Sequence, residues 1–162
     1  MQATYRDFLI RDWQPRDRQS AANHIQSILV EYGLSNEPVG ADQDVLTIED
    51  SYWAKGGEFW VIETQGRLVG TAGYYPVKRG ENAVEIRKMY LSPEVRGQGL
   101  GRYLLQALEA AIATQGYTQA WIQTASVLKE AVQLYERHGY EPSTGIDTAR
   151  CDCIYVKFLP TK

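Results

Sequence analysis

The run Arg96-Gly97-Gln98-Gly99-Leu100-Gly101-Arg102 carries glycine at every second position, a spacing that has a chemical use. Lacking a Cβ, glycine lets the backbone approach a ligand closely. The run leads into a stretch where Leu104, Leu105, Leu108, Ala111 and Ile112 recur at helical intervals. It therefore lies where a helix offers free N–H groups and the positive end of its dipole, and the guest it suits is a phosphate or pyrophosphate. Two familiar phosphate loops fail on the residues present. A Walker loop needs Lys-Ser/Thr after its last glycine, and Gly101 is followed by Arg102-Tyr103. A dinucleotide fingerprint needs G-x-G-x-x-G and an acidic residue closing the next strand. Here the spacing is G-x-G-x-G, and the next strand pattern ends at Gln123-Thr124.

What remains is the pattern Q/R-x-x-G-x-G/A, filled by Arg96, Gly99 and Gly101. With it the chain resembles the GNAT superfamily of acyl-CoA-dependent N-acetyltransferases. Upstream, Glu85-Ile86-Arg87-Lys88-Met89-Tyr90-Leu91-Ser92-Pro93 is similar to the fourth strand of many members. Downstream, Ala131-Val132-Gln133-Leu134-Tyr135-Glu136-Arg137-His138-Gly139-Tyr140 is similar to the family signature A-x-x-L-Y-E-x-x-G-F/Y. The stretch from about Gly70 to Tyr140 carries nearly all of the likeness.

The resemblance implies attack by an amine on a thioester, with acetyl-CoA as acyl donor and no metal. That reaction requires a neutral amine, an oriented thioester, a stabilised oxyanion and a proton for the leaving thiolate. By resemblance, the N–H groups of Gln98, Gly99, Leu100, Gly101 and Arg102 hold the pyrophosphate in a loop that Arg96 and Gly97 open. Met89, Tyr90 and Leu91 lie along the pantetheine and offer an N–H toward the acetyl carbonyl. Glu85, six residues before Leu91, matches the place of the family's glutamate base. Strand parity puts it on one face with Arg87 and Met89 unless a bulge intervenes, and its other reading is a salt bridge with Arg87. Tyr135 matches the family's proton donor, since a phenol with an ordinary pKa near ~10 stays protonated at neutral pH. Its other reading is a core tyrosine on a helical face with Leu128, Ala131 and Leu134. Many members carry asparagine where this chain has Leu128, so that contact to the cofactor arm is not expected.

The elements that must position these groups can be read in order. A strand is expected from Phe8 to Trp13, and a helix from near Pro15 through Ala21, Ala22, Ile25, Ile28, Leu29 and Tyr32 to a stop at Gly33. Leu34 to Leu46 reads as a loop. Thr47 reads as an N-cap, with a carboxylate three residues on, starting a short helix through Tyr52 and Trp53 to Lys55 that Gly56-Gly57 ends. Glu58 to Thr64 and Arg67 to Pro76 read as a hairpin around Gln65-Gly66, with Gly70 and Gly73 weakening the second strand unless something packs closely there. A strand from Gln119 to Thr124, a helix from Lys129 to His138, a strand from Ile154 to Phe158 and a polar tail complete the chain. The strict alternation of a doubly wound fold is missing. The resemblance implies an α/β (α+β) fold: a mixed, mostly antiparallel sheet of about seven strands, helices on both faces, and fourth and fifth strands splayed to admit the pantetheine arm.

The length of 162 residues and 44% hydrophobic content suit a single N-acetyltransferase domain spanning residues 1–162. A net charge of −3 gives no basic field for nucleic acid. Met1 to Trp13 is broken by charges, and no apolar run approaches a membrane span, so the expected place is the cytoplasm. Cys151 and Cys153 read as ordinary reduced strand residues, and the family habit implies a homodimer. For the acceptor, an amine of a small molecule, amino acid or peptide, the residues leave alternatives. Glu37, Asp42, Asp44, Glu49 and Asp50 read first as a solvated loop and second as a field steering a cationic amine. Tyr52, Trp53, Tyr74 and Tyr75 read as core or as substrate contacts, and Arg87 as the partner of an acceptor carboxylate. Two other functions stay in view, a non-catalytic acyl-CoA-binding sensor or scaffold and a nucleotide-binding domain.

Overall fold

A computed structural model of the chain describes residues 1–38 and 40–160. Val39, within the loop expected at residues 34–46, and Thr161 and Lys162 of the expected tail lie outside the described residues. Among the described residues, eight strands form one sheet in the order β1-β2-β3-β4-β5-β6-β8-β7. They are β1 Gln2–Tyr5, β2 Phe8–Asp12, β3 Glu58–Thr64, β4 Arg67–Val77, β5 Ala83–Leu91, β6 Gln119–Thr124, β7 Glu141–Pro142 and β8 Cys153–Phe158. Neighbours pair antiparallel except β5 and β6, the one parallel pair among the described strands.

The helices are α1 Arg18–Glu31, α2 Gln43–Leu46, α3 Ile48–Ser51, α4 Leu100–Thr114 and α5 Lys129–Arg137. Two cores show why the central strands are apolar on both faces. On one side Trp60, Ile62, Val84 and Ile86 pack with Leu104, Leu105 and Leu108 of α4 and Tyr135 of α5. On the other, Phe59 and Val61 pack with Trp13, Ala21, Ile25 and Leu29 and with Ile48 of α3. Alternate residues of β3 thus serve opposite layers, as the period of two demands.

The mixed sheet with helices on both faces is as expected; the strand count differs. β1 was not foreseen, because the turn joining it to β2 uses Arg6 at φ 51 rather than the Asn-Gly or Asp-Gly that marks a tight hairpin. The hairpin of β3 and β4 does turn at Gln65 (φ 51) and Gly66 (φ 73). Gly73 in β4 has its close neighbours: a Cβ there would stand 2.6 Å from Phe59 and 2.8 Å from Tyr52.

Three local readings change. Pro15–Asp17 is a 3-10 turn and α1 begins at Arg18, because Asp17 turns inward to accept from Arg11 at 2.8 and 2.9 Å and from the Gln14 N–H at 2.8 Å. The loop at residues 34–46 contains α2. Thr47 does not cap α3 with its side chain; its hydroxyl instead donates to the Gln43 carbonyl at 3.2 Å and meets the Ser51 hydroxyl.

Candidate active site

β5 and β6 stay paired only from Ala83–Gln119 to Ile86–Ile122. Beyond that point β5 continues to Leu91 and β6 to Thr124, so the two strands run on without each other. The local cause lies in β5. Its register with β4 slips between Thr71 and Gly73, so that Lys88 and Met89 together oppose Ala72. Lys88 takes the left-handed conformation at φ 55, and the Thr71 hydroxyl donates to its carbonyl at 2.8 Å. This is a β-bulge, which bends a strand and re-aims its side chains. Met89 and Leu91 therefore join Val84 and Ile86 on the α4–α5 face, while Tyr90 packs on the α1 face. The parity that grouped Met89 with Glu85 and Arg87 is corrected by that one extra residue.

The gap opens into a cavity of about 400 Å³. Met89, Tyr90 and Leu91 line it from β5, Gln123 and Thr124 from β6, and Leu128, Leu134 and Tyr135 from α5 and its approach. Gly97, Gly99, Gly101 and Arg102 line it from the loop, and Ile28, Leu34, Arg150 and Cys151 also border it. A 3-10 turn at Pro93–Val95 precedes the loop, and Gly97 and Gly99 adopt φ 78 and 83, where a Cβ is unfavourable. Gly99 is the N-cap of α4, a helix long enough to present its first N–H groups and dipole to an anion. A Cβ at Gly101 would stand in ordinary contact with Leu134 at 3.4 Å, so the demand for glycine is strongest at Gly97 and Gly99.

Eight of the ten residues expected at the cofactor line this cavity. Gln98 and Leu100 do not: the Leu100 side chain is 1% exposed in the core, and the Gln98 carbonyl accepts from the Tyr5 hydroxyl. Arg96 lines the cavity, but its guanidinium is engaged elsewhere. It donates to both oxygens of Glu31 at 2.6 and 2.9 Å, to the Leu91 carbonyl at 3.0 Å and to the Tyr32 hydroxyl at 3.1 Å. It ties α1 to the end of β5, and the bond to Glu31 raises its pKa further.

Of the two proton-transfer candidates, Tyr135 borders the cavity and Glu85 does not. Tyr135 is 4% exposed; burial, helped by Tyr90, pushes its phenol above the ordinary range, and no hydrogen bond contributes. It is a protonated hydroxyl at neutral pH. Glu85 is 3% exposed, accepting from Arg87 at 2.7 Å and from the Gln123 amide at 3.0 Å. Gln123 is thus the group that joins the cavity to the buried carboxylate. Its amide also donates to Asp147 at 2.6 Å, and its carbonyl accepts the Asp147 N–H at 3.0 Å.

Of the acidic segment, Asp50 is exposed as a solvated residue would be, but Asp42 and Asp44 are not. Asp42 is 4% exposed and accepts from Arg150 at 2.6 and 2.9 Å and from the Glu37 N–H at 2.7 Å. Lys88 reaches the Ala41 carbonyl at 2.9 Å, Asp42 at 3.2 Å and Asp44 at 3.4 Å. Arg87 faces Asp44 at 3.5 Å, and Tyr52 donates to Asp44. Three carboxylates (Glu85, Asp42, Asp44) thus meet three cations (Arg87, Lys88, Arg150) in one buried network. Burial works to raise the Asp42 pKa, but Arg150, the Glu37 N–H and Lys88 overcome it and hold it down to about 2. For Lys88 burial wins over Asp44 and Asp42, and its pKa is lowered. The network also engages Arg87 with Asp44 and Glu85. Tyr52 and Tyr74, fully buried and bonded to Asp44 and Glu58, belong to the core; Trp53 is exposed. Sequence spacing could not reveal this cluster, because its members come from α2 and the segment before it, β5, and the connection between β7 and β8. Among the described residues, no cluster of His, Cys, Asp and Glu could hold a metal ion, and no helix is long and apolar enough to cross a membrane.

Residues 9–140 match the model of the acetyltransferase (GNAT) family. The chain is 35% identical over 130 residues to the uncharacterized N-acetyltransferase YjgM of Escherichia coli (strain K12), covering 78% of this chain and 77% of that protein. It is 33% identical over 102 residues to N-acetyltransferase 8 of Rattus norvegicus, covering 60% of this chain but only 46% of the relative. A GNAT-family acetyltransferase from Staphylococcus aureus Mu50 superposes with a TM-score of 0.87 at 19% identity, over 94% of this chain and 99% of that one. A phosphinothricin acetyltransferase of Sinorhizobium meliloti, solved in complex with AcCoA, gives 0.74 at 21% identity, over 94% and 89%. On the family model spanning residues 9–140 and the relative at 35% identity, the chain belongs to the acetyltransferase (GNAT) family of enzymes.

Proposed function

We propose that the chain transfers the acetyl group of acetyl-CoA to a primary amine by direct attack within a ternary complex. The observation that carries this reading is the cavity between β5 and β6, lined by the glycine loop and by Tyr135. The loop and the N-terminus of α4 bind the diphosphate, and the apolar walls at Met89, Leu128 and Leu134 take the pantetheine arm. That orientation is the entropic share of catalysis. Neither Lys88 nor Met89 has a register partner on β4 or β6, and in this reading a backbone N–H at the bulge faces the developing oxyanion. As the amine nitrogen bonds to the acetyl carbon and the C–S bond breaks, Tyr135 gives its proton to the thiolate sulfur. Glu85 takes the amine proton through a water beside Gln123, because its own carboxylate does not border the cavity.

The test is release of free thiol from acetyl-CoA by the purified chain against a panel of amines. The reading expects thiol release with at least one amine and its loss in Tyr135→Phe and Glu85→Gln. Full rates in both variants at every pH would overturn the assigned roles. The close Arg87–Glu85 ion pair at 2.7 Å favours a second reading, an acyl-CoA-binding sensor or scaffold in which Glu85 is structural. Tight binding of acetyl-CoA without transfer to any amine would select it.

A further inference from the structure

Tyr5 carries no mark in the sequence, yet it touches the centre of the glycine loop. Its hydroxyl donates to the Gln98 carbonyl at 2.8 Å, and its ring stacks on Tyr103 of α4 with centroids 4.7 Å apart and planes inclined by 29°. Neither Tyr5 nor Gln98 borders the cavity, whereas Gly97, Gly99 and Gly101 do. The Gln98 carbonyl is therefore drawn to the side of the loop away from the cavity. The peptide bond that follows is trans, and in a trans peptide the C=O and the next N–H point in opposite directions. Fixing the carbonyl on Tyr5 turns the Gly99 N–H toward the cavity, at the start of α4, where an anion is favoured. The hydroxyl also sets the residue type: a Cβ at Gly99 would stand 2.6 Å from it.

We propose that Tyr5 is a positioning residue for the donor's diphosphate, holding through the Gln98 carbonyl the peptide plane whose N–H meets a phosphate oxygen. The proposal rests on the reading of the donor as acetyl-CoA. The ring stack alone would keep the loop in place but would not set the rotation of that peptide. Replacing only the hydroxyl separates the two roles.

The experiment compares wild type and Tyr5→Phe, each as residues 1–162, with acetyl-CoA and with S-acetylpantetheine, which carries the thioester and the arm but no diphosphate. The expected result is a KM for acetyl-CoA raised roughly 3- to 10-fold, the worth of one hydrogen bond. The kcat and the kcat/KM for S-acetylpantetheine should stay within about twofold, since the lost bond acts on the diphosphate alone. Gly99→Ala, which displaces the hydroxyl, should raise the same KM, and the double variant should do so by less than the product of the two single effects. Equal weakening toward both donors, or no change toward either, overturns the role of Tyr5. A wild-type chain that uses both donors equally well overturns the diphosphate reading of the loop, and with it the proposal.

Discussion

On the α4–α5 side of the sheet the cleft is walled by backbone and apolar side chains: Gly97, Gly99 and Gly101 at the loop, then Leu128, Leu134 and Tyr135. On the α1 side its wall is backed by opposed charges, with Asp42 and Asp44 against Lys88, Arg87 and Arg150. The first side is made by short stretches of contiguous chain. The second is assembled from residues up to 108 positions apart, as Arg150 and Asp42 are. The first side is set by a local loop, whereas the second is fixed by tertiary structure. Changes on the first side should therefore act on rate and donor affinity, and changes on the second on stability.

The sharpest break of that contrast is Tyr135→Phe, expected to lower kcat by about 10²- to 10⁴-fold, the usual worth of a general acid, with little change in melting temperature. A variant that keeps full kcat would leave Tyr135 the role of a core residue alone. On the other side, Asp42→Ala leaves Arg150 and Lys88 buried without their shared partner, and chemical denaturation should show a loss of about 3–5 kcal/mol. A loss below about 1 kcal/mol would make the network no more than a set of surface pairs.

The pH dependence has a definite sign. The Asp42 pKa is depressed from 3.8 to about 2 in the folded chain. The stability it contributes is thus fully present above about pH 4 and is lost as the pH falls toward 2. Circular dichroism during acid titration should show that loss in the parent and a smaller one in Asp42→Asn. The smallest effect concerns Thr47. Thr47→Ala should cost less than about 0.5 kcal/mol, because its hydroxyl bonds to a carbonyl and a serine rather than to free N–H groups of α3. A cost of 1–2 kcal/mol would restore the capping role read from the sequence.

What could be read in the sequence follows the same divide. The strand, loop and helix from Ala83 to Thr114 and the helix around Tyr135 lie where their patterns put them, since turn chemistry and apolar period are local signals. The bulge was not visible, because nothing in Arg87-Lys88-Met89 marks a left-handed lysine; it depends on Thr71 holding the Lys88 carbonyl from the next strand. Asp42 and Asp44 looked like solvated loop residues because their partners are distant in the chain. Tyr5 escaped notice for the same reason, being 93 positions from the carbonyl it holds. Glu85 was found by motif, but only the folded chain reveals that Gln123 joins it to the cavity.

The short parallel seam between β5 and β6 also bears on motion. It joins two blocks, β1 to β5 and β6 with β8 and β7, each closed by antiparallel ladders of its own. Across it the sheet is continuous for only a few residue pairs, so the blocks can shift against each other while nearly every other ladder bond survives. A molecule wedged beyond Ile86 and Ile122 would brace both blocks at once. Its arrival should be written most strongly in slowed amide exchange at the seam itself, between Ala83 and Ile86, rather than at the outer strands.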